Sequence, residues 1–104
     1  MLFLTYWELS ETMPAGERLN VFGKISALGL IPFDGLTIIR WDMTPDGWGV
    51  LVAEAESAAV IDKAVSMWRV AGTGFFKFTR TAPAQPVQEA IAQRAELLKL
   101  MGAT

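Results

Sequence analysis

Tyr6, Trp7, Arg40, Trp48 and Glu54 are the residues through which this chain could act on another molecule. Arg40 stands among apolar neighbours, where a guanidinium can hold a carboxylate or an enolate by charge-assisted hydrogen bonds. Glu54, if half-buried near it, would have a raised pKa and could pass a proton. The same two charges can instead form an ion pair at a subunit seam, each satisfying what burial would otherwise penalise. Tyr6 can donate a hydrogen bond, and Trp7 and Trp48 suit either packing or the wall of a pocket.

Other chemistries lack their residues. The sequence holds no His and no Cys, which removes the commonest general base, the commonest metal ligand, disulfides and thiolates. The carboxylates do not follow a calcium-loop spacing. Gly72 and Gly74 follow a helical stretch, whereas a phosphate cradle precedes one. No serine sits in a nucleophile elbow. Neither a metal nor a cofactor is therefore expected. The nine Lys and Arg are scattered and the net charge is −2, which argues against nucleic acid. No apolar run approaches about 20 residues, so no membrane span is expected, and Glu8 arrives too early for a signal peptide. A cytoplasmic protein is the expectation.

Hydrophobic residues make up 52% of the 104 residues and charged ones only 19%. Residues 1–104 read as one domain, large enough for a single core. The apolar excess implies surface covered by something else, a second copy first and a ligand cavity next.

The elements that must carry the candidate residues read as follows. Leu2 to Leu9 is a strand, apolar on both faces apart from Thr5 and Glu8. Thr12 is the expected N-cap of a first helix, with Pro14 in its first turn. Leu19, Phe22, Ile25 and Leu28, with Val21 beside them, form its apolar stripe, and Gly29 ends it. Leu30 to Gly35 is an apolar loop expected to pack over one end of the core. Leu36 to Ala55 is a hairpin turned by Thr44-Pro45-Asp46-Gly47, in which Pro45 presets φ and Gly47 accepts a positive one. Ser57 caps a second helix, where Ile61, Ala64, Val65 and Trp68 share one face. Phe75 to Thr81 is a fourth strand, with Phe76 and Phe78 on one face. A last helix runs from about 86 to 101, with Val87, Ala90, Ile91, Leu97, Leu98 and Met101 on its apolar side.

The order βαββαβ plus a C-terminal helix predicts an α+β, ferredoxin-like antiparallel sheet with helices on one face. The other face must be wet or covered, and strands one to three do not look wet. A homodimer through the open sheet faces, a dimeric α/β barrel, satisfies both pattern and composition. On strand three, Gly49, Leu51, Ala53 and Ala55 suit the helices, and Trp48, Val50, Val52 and Glu54 suit the open face. A bulge at Gly47 would set Arg40 opposite Val52 and place Leu36, Ile38, Arg40 and Asp42 on the open face with Glu54.

Met1-Leu2-Phe3 opening strand one, Trp7 near its end, Pro32-Phe33-Asp34-Gly35-Leu36, Arg40-Trp41, Glu54, Trp68 and Pro86-Val87 together resemble the domain of unknown function 3303 family of small bacterial proteins. Asp42 stands where relatives often carry His. That family is similar to the dimeric α/β-barrel proteins, among them muconolactone isomerases and cofactor-independent monooxygenases. The resemblance implies a dimer and an inter-sheet pocket, and it implies no particular activity.

The expected function is binding of a small apolar or acidic molecule in a pocket on the open sheet face. The pocket would be built by Tyr6, Trp7, Arg40, Trp48 and Glu54. Two alternatives stand beside it: a cofactor-independent isomerase or monooxygenase-like enzyme in the same pocket, and a structural or interaction protein whose pocket is filled by side chains.

Overall fold

A computed structural model describes residues 1–31 and 34–102. Its elements are β1 (Leu2–Leu9), α1 (Ala15–Ala27), β2 (Leu36–Met43), β3 (Trp48–Ala55), α2 (Ala58–Ala71), β4 (Phe76–Pro83) and α3 (Val87–Leu100). The four strands form one antiparallel sheet in the order β2-β3-β1-β4. That is the expected ferredoxin-like arrangement with an added C-terminal helix: β1 and β2 run parallel with β3 between them.

The β2–β3 turn behaves as its residues require. The amide of Gly47 donates to the carbonyl of Thr44 at 3.1 Å, and the amide of Thr44 donates to the carbonyl of Trp48 at 2.8 Å. Gly47 has φ 80°, the left-handed conformation glycine tolerates. The expected bulge is therefore present, and Arg40 pairs with Val52, Asp42 with Val50 and Trp41 with Leu51. A second irregularity lies between Ile38 and Arg40. The extra residue, Ile39, flips the strand upstream of it, so Ile38 pairs with Ala53 and Leu36 with Ala55. This corrects the expectation for Leu36 and Ile38, which face the helices rather than joining Arg40.

β4 has a comparable shift. Glu8 pairs with Phe78 and Leu9 with Phe76, which leaves Lys77 as an extra residue. Phe76 accordingly packs with Trp7 and Phe75 on the helix side, and Phe78 meets Tyr6 on the other. The two phenylalanines do not share a face, as plain alternation had implied.

α1 begins two residues later than its sequence suggested. Pro14 is the N-cap, and its carbonyl accepts from the amides of Glu17 and Arg18. Thr12 spends its hydroxyl on Ser10 instead, because Met13 precedes a proline and is steered away from helical backbone. Only Val21 and Ile25 of the apolar stripe are buried; Leu19, Phe22 and Leu28 stay exposed. α2 follows its pattern, burying Ile61, Ala64 and Trp68, although the Ser57 hydroxyl makes no cap bond. Gly72 sits where an added Cβ would strike Val21, so its lack of a side chain lets α2 close on α1.

The core consists of two clusters on the helix side of the sheet. Phe3, Ala53, Ala55 and Ile61 form one, and Met13, Val21, Ile25, Trp68 and Phe75 form the other. α2 spans both, with Ile61 in its first half and Trp68 in its second. Ile31 packs against the second cluster, in keeping with a loop that covers the core; Pro32 and Phe33 lie outside the described residues. α3 buries none of its side chains, and its apolar side, from Val87 to Met101, is open.

Candidate functional site

The register sorts the candidate residues onto two faces. Tyr6 pairs with Val50, Leu4 with Val52, and Glu8 with Trp48, so these side chains share the face away from the helices. Arg40 and Asp42 join them from β2, and Arg80, paired with Tyr6, joins from β4. Four of the five candidates, Tyr6, Arg40, Trp48 and Glu54, therefore lie on the open face. Trp7 does not. It points to the helix side and is only 7% exposed.

On the open face three rings form a row across β3, β1 and β4. Tyr6 stands 5.9 Å from Trp48 and 6.0 Å from Phe78, centroid to centroid. Leu4, Trp48 and Phe78 are each exposed. The Tyr6 hydroxyl donates to Oε1 of Glu8 at 2.7 Å. That hydrogen bond, with desolvation and the Glu8 charge, raises the Tyr6 pKa and holds its proton in place.

The two candidate charges on this face are paired locally. Arg40 Nε donates to Asp42 Oδ2, two residues along the same strand, and this hydrogen bond and the Asp42 charge raise the Arg40 pKa further. Glu54 Oε2 lies 3.1 Å from the Met1 amino group, which also donates to the Ala55 carbonyl at 3.0 Å. Arg40 and Glu54 share a face without sharing an ion pair: Thr37, not Arg40, is the β2 residue opposite Glu54. Both are exposed. Among the described residues no three carboxylates are grouped to hold a metal ion, and no helix is long and apolar enough to cross a membrane.

With the fold and these positions in view, the sequence profile of the family described as a domain of unknown function (DUF3303) matches residues 1–98. The chain belongs to that family. No curated protein matches it. The DUF3303 match runs from β1 into the last turns of α3, so the family pattern includes the open helix as well as the sheet.

The cavity of this DUF3303 domain lies on the opposite side of the sheet from the aromatic row. It measures about 520 Å³ and sits under α1, between the two core clusters. α1 packs chiefly on α2 and leaves the helix-facing side of β2 bare, so Ile38, Trp41 and Met43 line a space instead of a contact. Trp41 reaches across it to meet Trp68 edge-on at 5.7 Å. Two of the lining residues carry a buried nitrogen without a hydrogen-bond partner among the described residues, Nε1 of Trp7 and Nε of Arg18. Arg18 was not among the residues singled out from sequence. Its one available signal was a cation in the opening turns of a helix, where the dipole disfavours positive charge.

Proposed function

We propose that this protein works as a homodimer joined through its open sheet faces and holds a small apolar or acidic molecule against that face. The observation that carries this reading is the row Trp48–Tyr6–Phe78, three neighbouring aromatic rings on a sheet face with no layer over it. Water is a poor neighbour for such a contiguous patch, and soluble monomers seldom leave a large one bare. A second copy related by a twofold axis offers the same row in return, since an isologous interface is self-complementary. Charge supports this occupant as well. Arg40 and Arg80 share the face with Glu8 and Glu54, so a partner copy supplies both signs to meet them. The open apolar side of α3 adds further surface for the second copy to cover.

Between two such sheets the aromatic rings would bound an apolar space, and Arg40 and Arg80 would be the cations nearest an acidic group. Native mass spectrometry of freshly purified protein tests both halves together. The expected result is the mass of two chains, with any retained molecule released on denaturation. A stable monomer at micromolar concentration by sedimentation would refute the dimer, and the pocket with it.

A further inference from the structure

We propose that α3 is an arm exchanged between two copies of the chain, its apolar side filling the groove under α1 of the second copy along β2. This rests on the homodimer proposed above and adds what each copy gives the other. Two unpartnered apolar surfaces in one chain carry it. On α3, Val87, Ile91, Leu97, Leu98 and Met101 are exposed, and among the described residues the helix has no substantial packing on any other element. In the groove, Leu19, Phe22, Ile38, Trp41 and Met43 are exposed as well. A lone helix of 14 residues is marginal in water, since most helical stability comes from packing an apolar face. The radius of gyration is 17.2 Å and the longest dimension 57 Å, where a compact domain of this length has a radius of about 13 Å. The helix stands off the body.

The chain's own α3 does not reach its own groove. β4 and β2 are opposite edges of the sheet, and α2, packed on β3 and β4, lies between them. Only Ala84, Gln85 and Pro86 join β4 to α3. They span at most about 14 Å, roughly the width from β4 to β2 before α2 is cleared. A second copy is nearer. A twofold axis along the strands, between facing sheets, sets β4 of one copy over β2 of the other at about 10 Å. The levels agree too. Pro83 pairs with Phe3, Phe3 with Ala53 and Ala53 with Ile38, so α3 starts near the level of Ile38. Its length of about 21 Å then carries it past Trp41 to Met43, about 16 Å along β2. Arg94, on the apolar side, turns its guanidinium back onto the Ala90 carbonyl at 3.0 Å, which leaves its stem to pack. Exposed by roughly half, the five side chains on each surface bury on the order of 500 Å² in one contact and about 1,000 Å² in the reciprocal pair. With the sheet faces added, the total enters the range of about 1,200–2,000 Å² that a stable interface needs.

The sequence holds no Cys, so introduced thiols report alone. Full chains carrying Met43→Cys are mixed with isotope-labelled full chains carrying Leu98→Cys, re-equilibrated and treated with a short bismaleimide. Circular dichroism confirms folding of each variant, and Met101→Cys replaces Leu98→Cys if that chain does not fold. The expected product is a covalent dimer of one labelled and one unlabelled chain. Its yield should exceed at least tenfold that from Met43→Cys with Val87→Cys, which the run of α3 holds apart. A dimer by sedimentation that gives no such mixed product overturns the arm and leaves the dimer standing. A cross-link within single chains that carry both Met43→Cys and Leu98→Cys also overturns it, since α3 would then fold back on its own groove. A monomer at micromolar concentration overturns the dimer and the arm together.

Discussion

The indole of Trp7 lies across Gly49 on the neighbouring strand so closely that a Cβ on Gly49 would overlap its ring. The same Cβ would run into the backbone oxygen of Asp42. Glycine at this position is what allows the Trp7 indole to lie against the neighbouring strand. Gly49→Ala should therefore cost roughly 3 kcal/mol by overpacking. Gly23, inside α1 with nothing within 4 Å of an added Cβ, is the opposite case. Gly23→Ala should stabilise by about 0.5–1 kcal/mol through helix propensity and a less free unfolded chain. Urea midpoints moving in opposite directions check the pair; a Gly49→Ala variant as stable as the parent would contradict the packing.

Tyr6 is the one tyrosine in the sequence, so tyrosinate absorbance reports it alone. Its titration midpoint in the folded protein should lie above the ordinary value of about 10, because its proton is shared with Glu8. The folded state binds this proton more tightly than the unfolded chain. The stabilisation is thus complete below the unfolded pKa and is lost as pH climbs through the folded one. Glu8→Gln removes the charge and should bring the midpoint down. An unchanged midpoint would show that Glu8 is not the cause.

Arg40 and Glu54 should be energetically independent, since each has its own nearer partner. In a double-mutant cycle of Arg40→Gln with Glu54→Gln, the shifts in Tm should add. Arg40→Gln with Asp42→Asn should not add. Coupling in the first cycle would mean that the two charges meet, and would return them to a shared pocket.

The two sides of α2 offer a sharp contrast in cost. Ile61 is 1% exposed and anchors the Phe3 cluster, whereas Val70 is 85% exposed. Ile61→Ala should cost roughly 2–5 kcal/mol through lost burial and the hole it leaves. Val70→Ala should change stability by no more than about 0.5 kcal/mol. Thermal melts of both variants check this, and equal losses would mean that α2 is rotated from the orientation described.

Much of this architecture was legible in local signals. Turn residues at Thr44–Gly47 announced the bulge that pairs Arg40 with Val52, and small residues alternating along β3 announced its helix side. The candidate site was legible only in part. Trp48, Arg40 and Glu54 were placed on one face by period-two alternation, but alternation breaks wherever an extra residue enters a strand. Ile39 and Lys77 are such residues, and nothing in their types distinguishes them from paired neighbours. Trp7 was grouped with the open face although it alternates with Tyr6, because both faces of β1 are apolar and its own pattern does not say which side the helices take.

The sequence by itself determined the element order, the sheet topology and the hairpin register beside its turn, because these follow from turn chemistry and side-chain period, which act over a few neighbouring residues. Tertiary structure alone decided where space remains. The gap under α1, the approach of Arg18 to Ser10 at the Trp7 end of the sheet, and the bare side of α3 all depend on how elements distant in sequence meet. Volume left between packed elements is a property of their assembly, and no stretch of the chain records it.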